Sequence, residues 1–132
     1  MPLFRKGVAP AREPEPASPQ TLGQDELLRL LDDEVWRSVR YGRPLVLVCL
    51  APRMLAGERL TRAERQMAID ALRASLRRSD SAGEAGESVF AAVLPETFDE
   101  QGRAVAFRLR SELSLRSAGS RQLNWRGWDS QT

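Results

Sequence analysis

The sequence contains no histidine and a single cysteine, Cys49, so a zinc site has no usual ligand set and no disulfide can close within the chain. Only carboxylates remain to hold a hard cation. Cys49 sits inside an apolar run and reads as a small buried core residue, and a lone thiol fits a reducing compartment. Long hydrophobic runs are absent too. The longest, residues 45–51, falls far short of the roughly 20 residues that cross a bilayer, and the N-terminus lacks a secretory apolar core. These absences predict a cytoplasmic protein without a membrane partner. Lysine is represented by Lys6 alone among 20 basic residues, and the net charge is only +2. No strong electrostatic field for nucleic acid follows from that balance. The remaining 19 basic residues are arginines, read mainly as compositional habit, although arginine grips phosphate and guanine better than lysine does.

What is present is enough for one compact domain: 132 residues, 42% hydrophobic, burying about two-thirds of the unfolded surface. Residues 1–23 carry Pro2, Pro10, Pro14, Pro16 and Pro19 among small and charged residues, a composition expected to form a disordered tail. Residues 24–132 are then the domain. Leu27, Leu28, Leu31, Val35 and Val39 recur at helical spacing until Gly42 and Pro44. Residues 45–50 are apolar on both faces, as in a central strand covered by helices. Thr61 and Glu64 form a capping-box pattern at the start of a second helix, with Ala63, Met67, Leu72 and Leu76 as its expected buried stripe. Residues 80–87 read as turn material and residues 89–94 as a second buried strand. A third helix runs from Asp99 to about Ser117 through Val105, Leu109 and Leu113, and residues 121–127 could add an edge strand. The alternation points to an α/β fold, a sheet with helices against it.

Gly86-Glu87-Ser88-Val89-Phe90 leads into a strand that exits through Pro95-Glu96-Thr97, with Phe90 seven residues before Thr97. Before it come Arg40-Tyr41-Gly42-Arg43-Pro44-Leu45 and Ser75-Leu76-Arg77-Arg78-Ser79-Asp80; after it comes Ala106-Phe107-Arg108-Leu109-Arg110. In this order and spacing, over roughly residues 25–115, the chain resembles the GGDEF family, whose active members make cyclic di-GMP from GTP. The resemblance implies a nucleotidyl cyclase-like sheet flanked by helices, in shortened form. It also shows what is missing. Glu87 stands at the second glycine position of the family's motif, and Ser88 and Val89 at its two acidic positions. The family's Asp-x-Asp pair at the end of the first strand is replaced by Ala51-Pro52-Arg53, and only residues 54–60 remain where the family carries its guanine- and phosphate-contacting segment. Phosphoryl transfer needs carboxylates to hold the metals that bridge the phosphates, so the chain is expected to be a pseudoenzyme with no metal and no cofactor.

A second family feature is an inhibitory site that binds cyclic di-GMP through an Arg-x-x-Asp five residues before the motif and an arginine in the next helix. Arg77 and Asp80 hold that register against Gly86, and Arg108 lies eighteen residues past Phe90. An arginine fork can grip guanine O6 and N7 while a carboxylate accepts from its N1 and N2 hydrogens. The pattern alone says little, because 19 arginines and seven aspartates give about one chance Arg-x-x-Asp, and Arg29 with Asp32 and Arg126 with Asp129 match as well. The resemblance implies an inactive domain that binds cyclic di-GMP at Arg77, Asp80 and Arg108, placed at an exposed corner, and signals to a partner protein. The alternative is a ligand-free scaffold for dimerisation or protein interaction. Of the other candidates, Asp32-Asp33-Glu34 reads as a solvated helix face, Trp36 as packing, and Trp128 as a residue for a partner interface.

Overall fold

The computed structural model describes residues 20–117 and 123–129. Most of the segment expected to be a tail lies outside that range, but its last residues form a strand, β1 (Gln20–Leu22). Then follow α1 (Gln24–Tyr41), β2 (Leu45–Pro52), α2 (Arg62–Ser75), β3 (Ser81–Gly86), β4 (Val89–Pro95), α3 (Asp99–Ser117) and β5 (Trp125–Asp129). The five strands make one sheet in the order β1-β3-β4-β2-β5. β1 pairs with β3 in parallel and every other pairing is antiparallel. The expected α/β sheet flanked by helices is what is observed, and no helix among the described residues is long and apolar enough to cross a membrane.

Strand alternation divides the core between the two faces of the sheet. Val46, Val48 and Leu50 on β2 and Phe90, Ala92 and Leu94 on β4 turn toward α2 and α3, where Ala68, Ala71, Leu72, Leu109 and Leu113 complete the main core. Leu45, Leu47 and Cys49, with Ala91 and Val93, form the opposite face, packed with Leu27, Leu30 and Leu31 of α1. This second layer is thinner. Leu45, Leu47 and Cys49 stay half-buried, and partial burial pushes the Cys49 thiol above its ordinary value.

Four local expectations need correction. Residues 81–86, read as a turn because Ser, Ala and Gly have poor strand propensity, form β3, since pairing on both sides supplies what propensity does not. Its small residues let the neighbouring strand close in: a Cβ on Gly83 would run into the Leu22 carbonyl. The stripe foreseen on α1 is only partly used, for Leu27 is buried while Leu28, Val35 and Val39 are 50%, 45% and 80% exposed. Helical periodicity revealed a broad apolar side, and the sheet takes the part centred on Leu27. Trp36, expected to pack, is exposed and meets Tyr41 edge-on at 6.4 Å, with the Arg40 guanidinium over both rings. On α2, Ala63 is exposed and the buried set is Glu64, Ala68, Ala71 and Leu72. The α2 capping box is as expected, with Glu64 N–H donating to Thr61 Oγ1 at 3.1 Å and Thr61 N–H to Glu64 Oε1 at 2.8 Å. The edge strand begins at Trp125, with Leu123 buried just before it.

Gly102 lets α3 lie directly on β2, because a Cβ there would stand 2.6 Å from Val46 Cγ1. Gly102→Leu should therefore lower stability by about 1–3 kcal/mol, read from the urea midpoint, although it removes a helix-weakening glycine. With its thiol held protonated by burial, Cys49 should react with a disulfide reagent at neutral pH much more slowly in the native protein than in urea. Raising the pH through the ordinary thiol range should speed the unfolded chain first.

Candidate functional site

The antiparallel register places the candidate residues at two ends of the sheet. At one, Gly86 and Val89 begin the β3–β4 turn beside Pro52 and Trp125; at the other, Leu45 lies opposite Pro95 and β3 starts at Ser81.

At the first end, the degenerate motif is a tight hairpin. Gly86 closes β3, Glu87 and Ser88 make the turn with Ser88 at φ 60°, Val89 opens β4 and Phe90 is fully buried. Phe90 packs 6.0 Å from the Trp125 ring, which anchors the hairpin in the main core. The nearby carboxylates are matched by guanidiniums: Glu87 pairs with Arg59 at 3.0 Å and Glu84 with Arg65 at 3.3 Å. Ala51 and Pro52 are buried, while Arg53 is exposed and its N–H donates to the Asn124 carbonyl at 2.8 Å. The short link that follows holds itself together, with Leu55 N–H donating to Glu58 Oε1 at 2.9 Å and Leu60 sinking into the core. Among the described residues no group of three or more His, Cys, Asp or Glu side chains stands ready for a metal ion. The buried Trp125 indole N–H has no hydrogen-bond partner among the described residues.

At the opposite end the link between α2 and β3 carries Arg77 and Asp80. Arg108 Nη2 donates to the Ser75 carbonyl at 3.0 Å, at the C-terminus of α2, where a cation is favoured by the helix dipole. Arg77 follows two residues later. Asp80 is not offered to solvent as expected. It is 2% exposed and accepts from Arg77 N–H at 2.9 Å, Arg77 Nε at 3.3 Å and Arg77 Nη2 at 3.0 Å. A buried carboxylate without donors would be costly, and the four-residue turn supplies them locally. The same Arg77 Nη2 donates to the Pro95 carbonyl at 3.0 Å and to Thr97 Oγ1 at 2.7 Å. Thr97 is buried and its hydroxyl donates to Pro95 O at 3.0 Å. Arg77 thus fastens the α2–β3 link to the exit of β4. Pro95 and Thr97 are partners that the sequence reading did not assign. Their only signal was the Pro-Glu-Thr exit, which says nothing of what binds it.

Beside this corner lies a cavity of about 490 Å³ whose walls include Arg37, Tyr41, Arg43, Ser79 and Glu96. Its charges are compensated: Arg43 pairs with Glu96 at 2.5 Å and Arg37 with Glu34 at 2.9 Å. The hydrogen bond that Arg43 donates to Glu96, and then the charge of that carboxylate, hold Arg43 above its ordinary value. The side chain of Trp128 lies outside what is described.

No family model matches the chain, and no curated protein matches it. Solved structures do. The active GGEEF domain of a diguanylate cyclase from Vibrio cholerae aligns with TM-score 0.72 at 14% identity, over 83% of this chain and 76% of that one. The GGDEF domain of DgcB from Caulobacter crescentus, solved in complex with c-di-GMP, gives 0.65 at 12%, over 95% and 80%. Diguanylate cyclase SiaD from Pseudomonas aeruginosa, in complex with its activator SiaC, gives 0.65 at 20% over 81% of this chain, which spans only 45% of SiaD. The fold is therefore that of GGDEF domains.

Removing the Arg77 side chain leaves the buried Asp80 carboxylate with one backbone donor of its former three bonds. Arg77→Ala should destabilise the protein by about 1–3 kcal/mol in urea unfolding. Arg77→Lys should recover only part of the loss, because a point charge cannot reproduce the fork.

Proposed function

We propose that this chain is a catalytically inactive domain of GGDEF fold that works by protein contact, as a dimerisation or docking scaffold in the cytoplasm. Phosphoryl transfer requires carboxylates free to hold metal ions against phosphate oxygens. The observation that carries the reading is the hairpin end of the sheet. Ala51, Pro52, Ser88 and Val89 offer no carboxylate there, and Glu84 and Glu87 are engaged by Arg65 and Arg59. The Arg77–Asp80 lock supports a ligand-free domain, since the Asp80 oxygens a guanine would need already accept from Arg77. A diguanylate cyclase that shares this fold has been solved with an activator protein bound, so the fold is compatible with docking.

One observation favours a second reading, in which cyclic di-GMP binds at Arg77, Asp80 and Arg108. Arg108 binds the Ser75 carbonyl, two residues before Arg77 in the chain, and the Arg77 side chain is 54% exposed. A DgcB domain of the same fold was solved with that ligand. Calorimetric titration with cyclic di-GMP separates the two. The scaffold reading expects no heat, whereas saturable heat that Arg108→Ala abolishes would replace it with the receptor reading. Incubation with GTP and magnesium should yield no cyclic dinucleotide by chromatography, and turnover would overturn the claim of inactivity.

A further inference from the structure

β5 ends the sheet on one side: it pairs with β2 and has no neighbour on its other side among the described residues. Antiparallel pairing turns the backbone groups of successive residues alternately toward the partner strand and away from it. Arg53 N–H donates to the Asn124 carbonyl at 2.8 Å, and the register continues with Ala51 opposite Arg126 and Cys49 opposite Trp128. The N–H and C=O groups of Asn124, Arg126 and Trp128 therefore face β2, while those of Trp125, Gly127 and Asp129 face outward. Such an edge is a template for one more strand.

The charge above the edge says which strand fits. α3 lies over β2 and β5, with Gly102 close on Val46 and the Ala106 carbonyl 3.9 Å from where a Cβ on Gly127 would stand. Gly102, Leu109 and Leu113 mark its buried side. Arg108, which bonds the Ser75 carbonyl of α2, lies about 120° from the middle of that side, while Arg110 and Arg103 lie about 80° and 100° from it in the other direction. The flank of α3 turned away from α2, toward the outer edge of β5, thus carries two exposed guanidiniums. No ion pair among the described residues engages either of them. Exposed Phe107 lies between them in the chain, with the Arg110 guanidinium over its ring at 5.8 Å. Two copies joined edge to edge about a two-fold axis would set these flanks against each other, like charge facing like. The charge favours an acidic strand over a second copy.

We propose that the outer edge of β5, beneath Arg103 and Arg110, takes an extended acidic segment of a partner protein as a further strand. The inference rests on the scaffold reading above and names the chemistry of the partner. The outward groups of Trp125, Gly127 and Asp129 bond the backbone of the segment. Its alternate side chains share the α3 side of the new strand, where carboxylates meet the two guanidiniums. Arg103 and Arg110 stand two turns apart, about 10.5 Å along the helix, a span matched by carboxylates two to four positions apart in an extended chain, about 7–13 Å.

Fluorescence anisotropy on the full chain tests this, with labelled Glu-Val-Glu-Val-Glu-Val-Glu as the probe. Binding should saturate within about 10–300 µM and weaken with added salt. The corresponding Lys-Val peptide should not bind, nor should the acidic peptide N-methylated at its glutamates, whose N–H groups face β5 in this pairing. Arg103→Glu combined with Arg110→Glu, both at exposed positions, should weaken the acidic peptide at least about tenfold and admit the Lys-Val peptide, with an unchanged circular dichroism spectrum and unfolding midpoint. Asp129→Pro removes an outward N–H that β2 does not use and should weaken binding about fivefold or more, against an Asp129→Ala control within about twofold of wild type. The absence of saturable binding by the acidic peptide overturns the proposal, as does binding that survives N-methylation or is indifferent to the arginine reversal or to Asp129→Pro. Such a failure leaves the scaffold reading standing, since that reading is decided by the cyclic di-GMP titration and the GTP incubation.

Discussion

The corner around Asp80 is governed by one constraint: a carboxylate 2% exposed must be given hydrogen-bond donors. Arg77 gives three of them, from its backbone N–H and two guanidinium nitrogens. Because the guanidinium is planar and rigid, aiming it at Asp80 also fixes where Nη2 points, and the same nitrogen reaches the Pro95 carbonyl and the Thr97 hydroxyl. The α2–β3 link and the β4 exit are thereby tied at a single residue. Thr97 N–H donates to Pro44 O at 3.3 Å and Arg43 pairs with Glu96, so the start of β2 joins the same network. The end of the sheet is held by polar bonds where the strands run out.

Both ends of the sheet follow a common electrostatic pattern. Glu84 and Glu87 near the hairpin meet arginines, and so do Asp80, Glu96 and Glu34 at the far end. A chain rich in arginine but nearly neutral can satisfy its own acids in this way. Exposed pairs contribute little to stability, but they remove the free negative charge that a metal–nucleotide site would need. The apolar fill behind the hairpin, Phe90 against Trp125 with Leu60 close by in the same core, further closes that end.

α1 stands apart from this self-sufficiency. The sheet's second face is narrow and takes Leu27 with the half-buried Leu30 and Leu31, leaving the adjacent side of the helix uncovered. α3 exposes Phe107 and Leu115 as well, but α1 carries more of the exposed large apolar side chains among the described residues.

Much of this was legible in the residues. The apolar blocks that became β2 and β4, the Thr61–Glu64 cap, the third helix through Leu109 and Leu113, and the α/β class all follow from local chemistry and periodicity, because each depends on neighbours a few positions away. β3 was invisible because Ser81-Ala82-Gly83 carry no strand signal and owe their conformation to β1 and β4. The side of α1 that packs, the exposure of Trp36 and the inward turn of Asp80 were likewise decided by tertiary structure. Periodicity tells which side chains share a face, and a charge pattern tells which groups can pair. Which face meets the sheet, and whether a carboxylate points to solvent or to its own arginine, depends on contacts that exist only once distant segments come together.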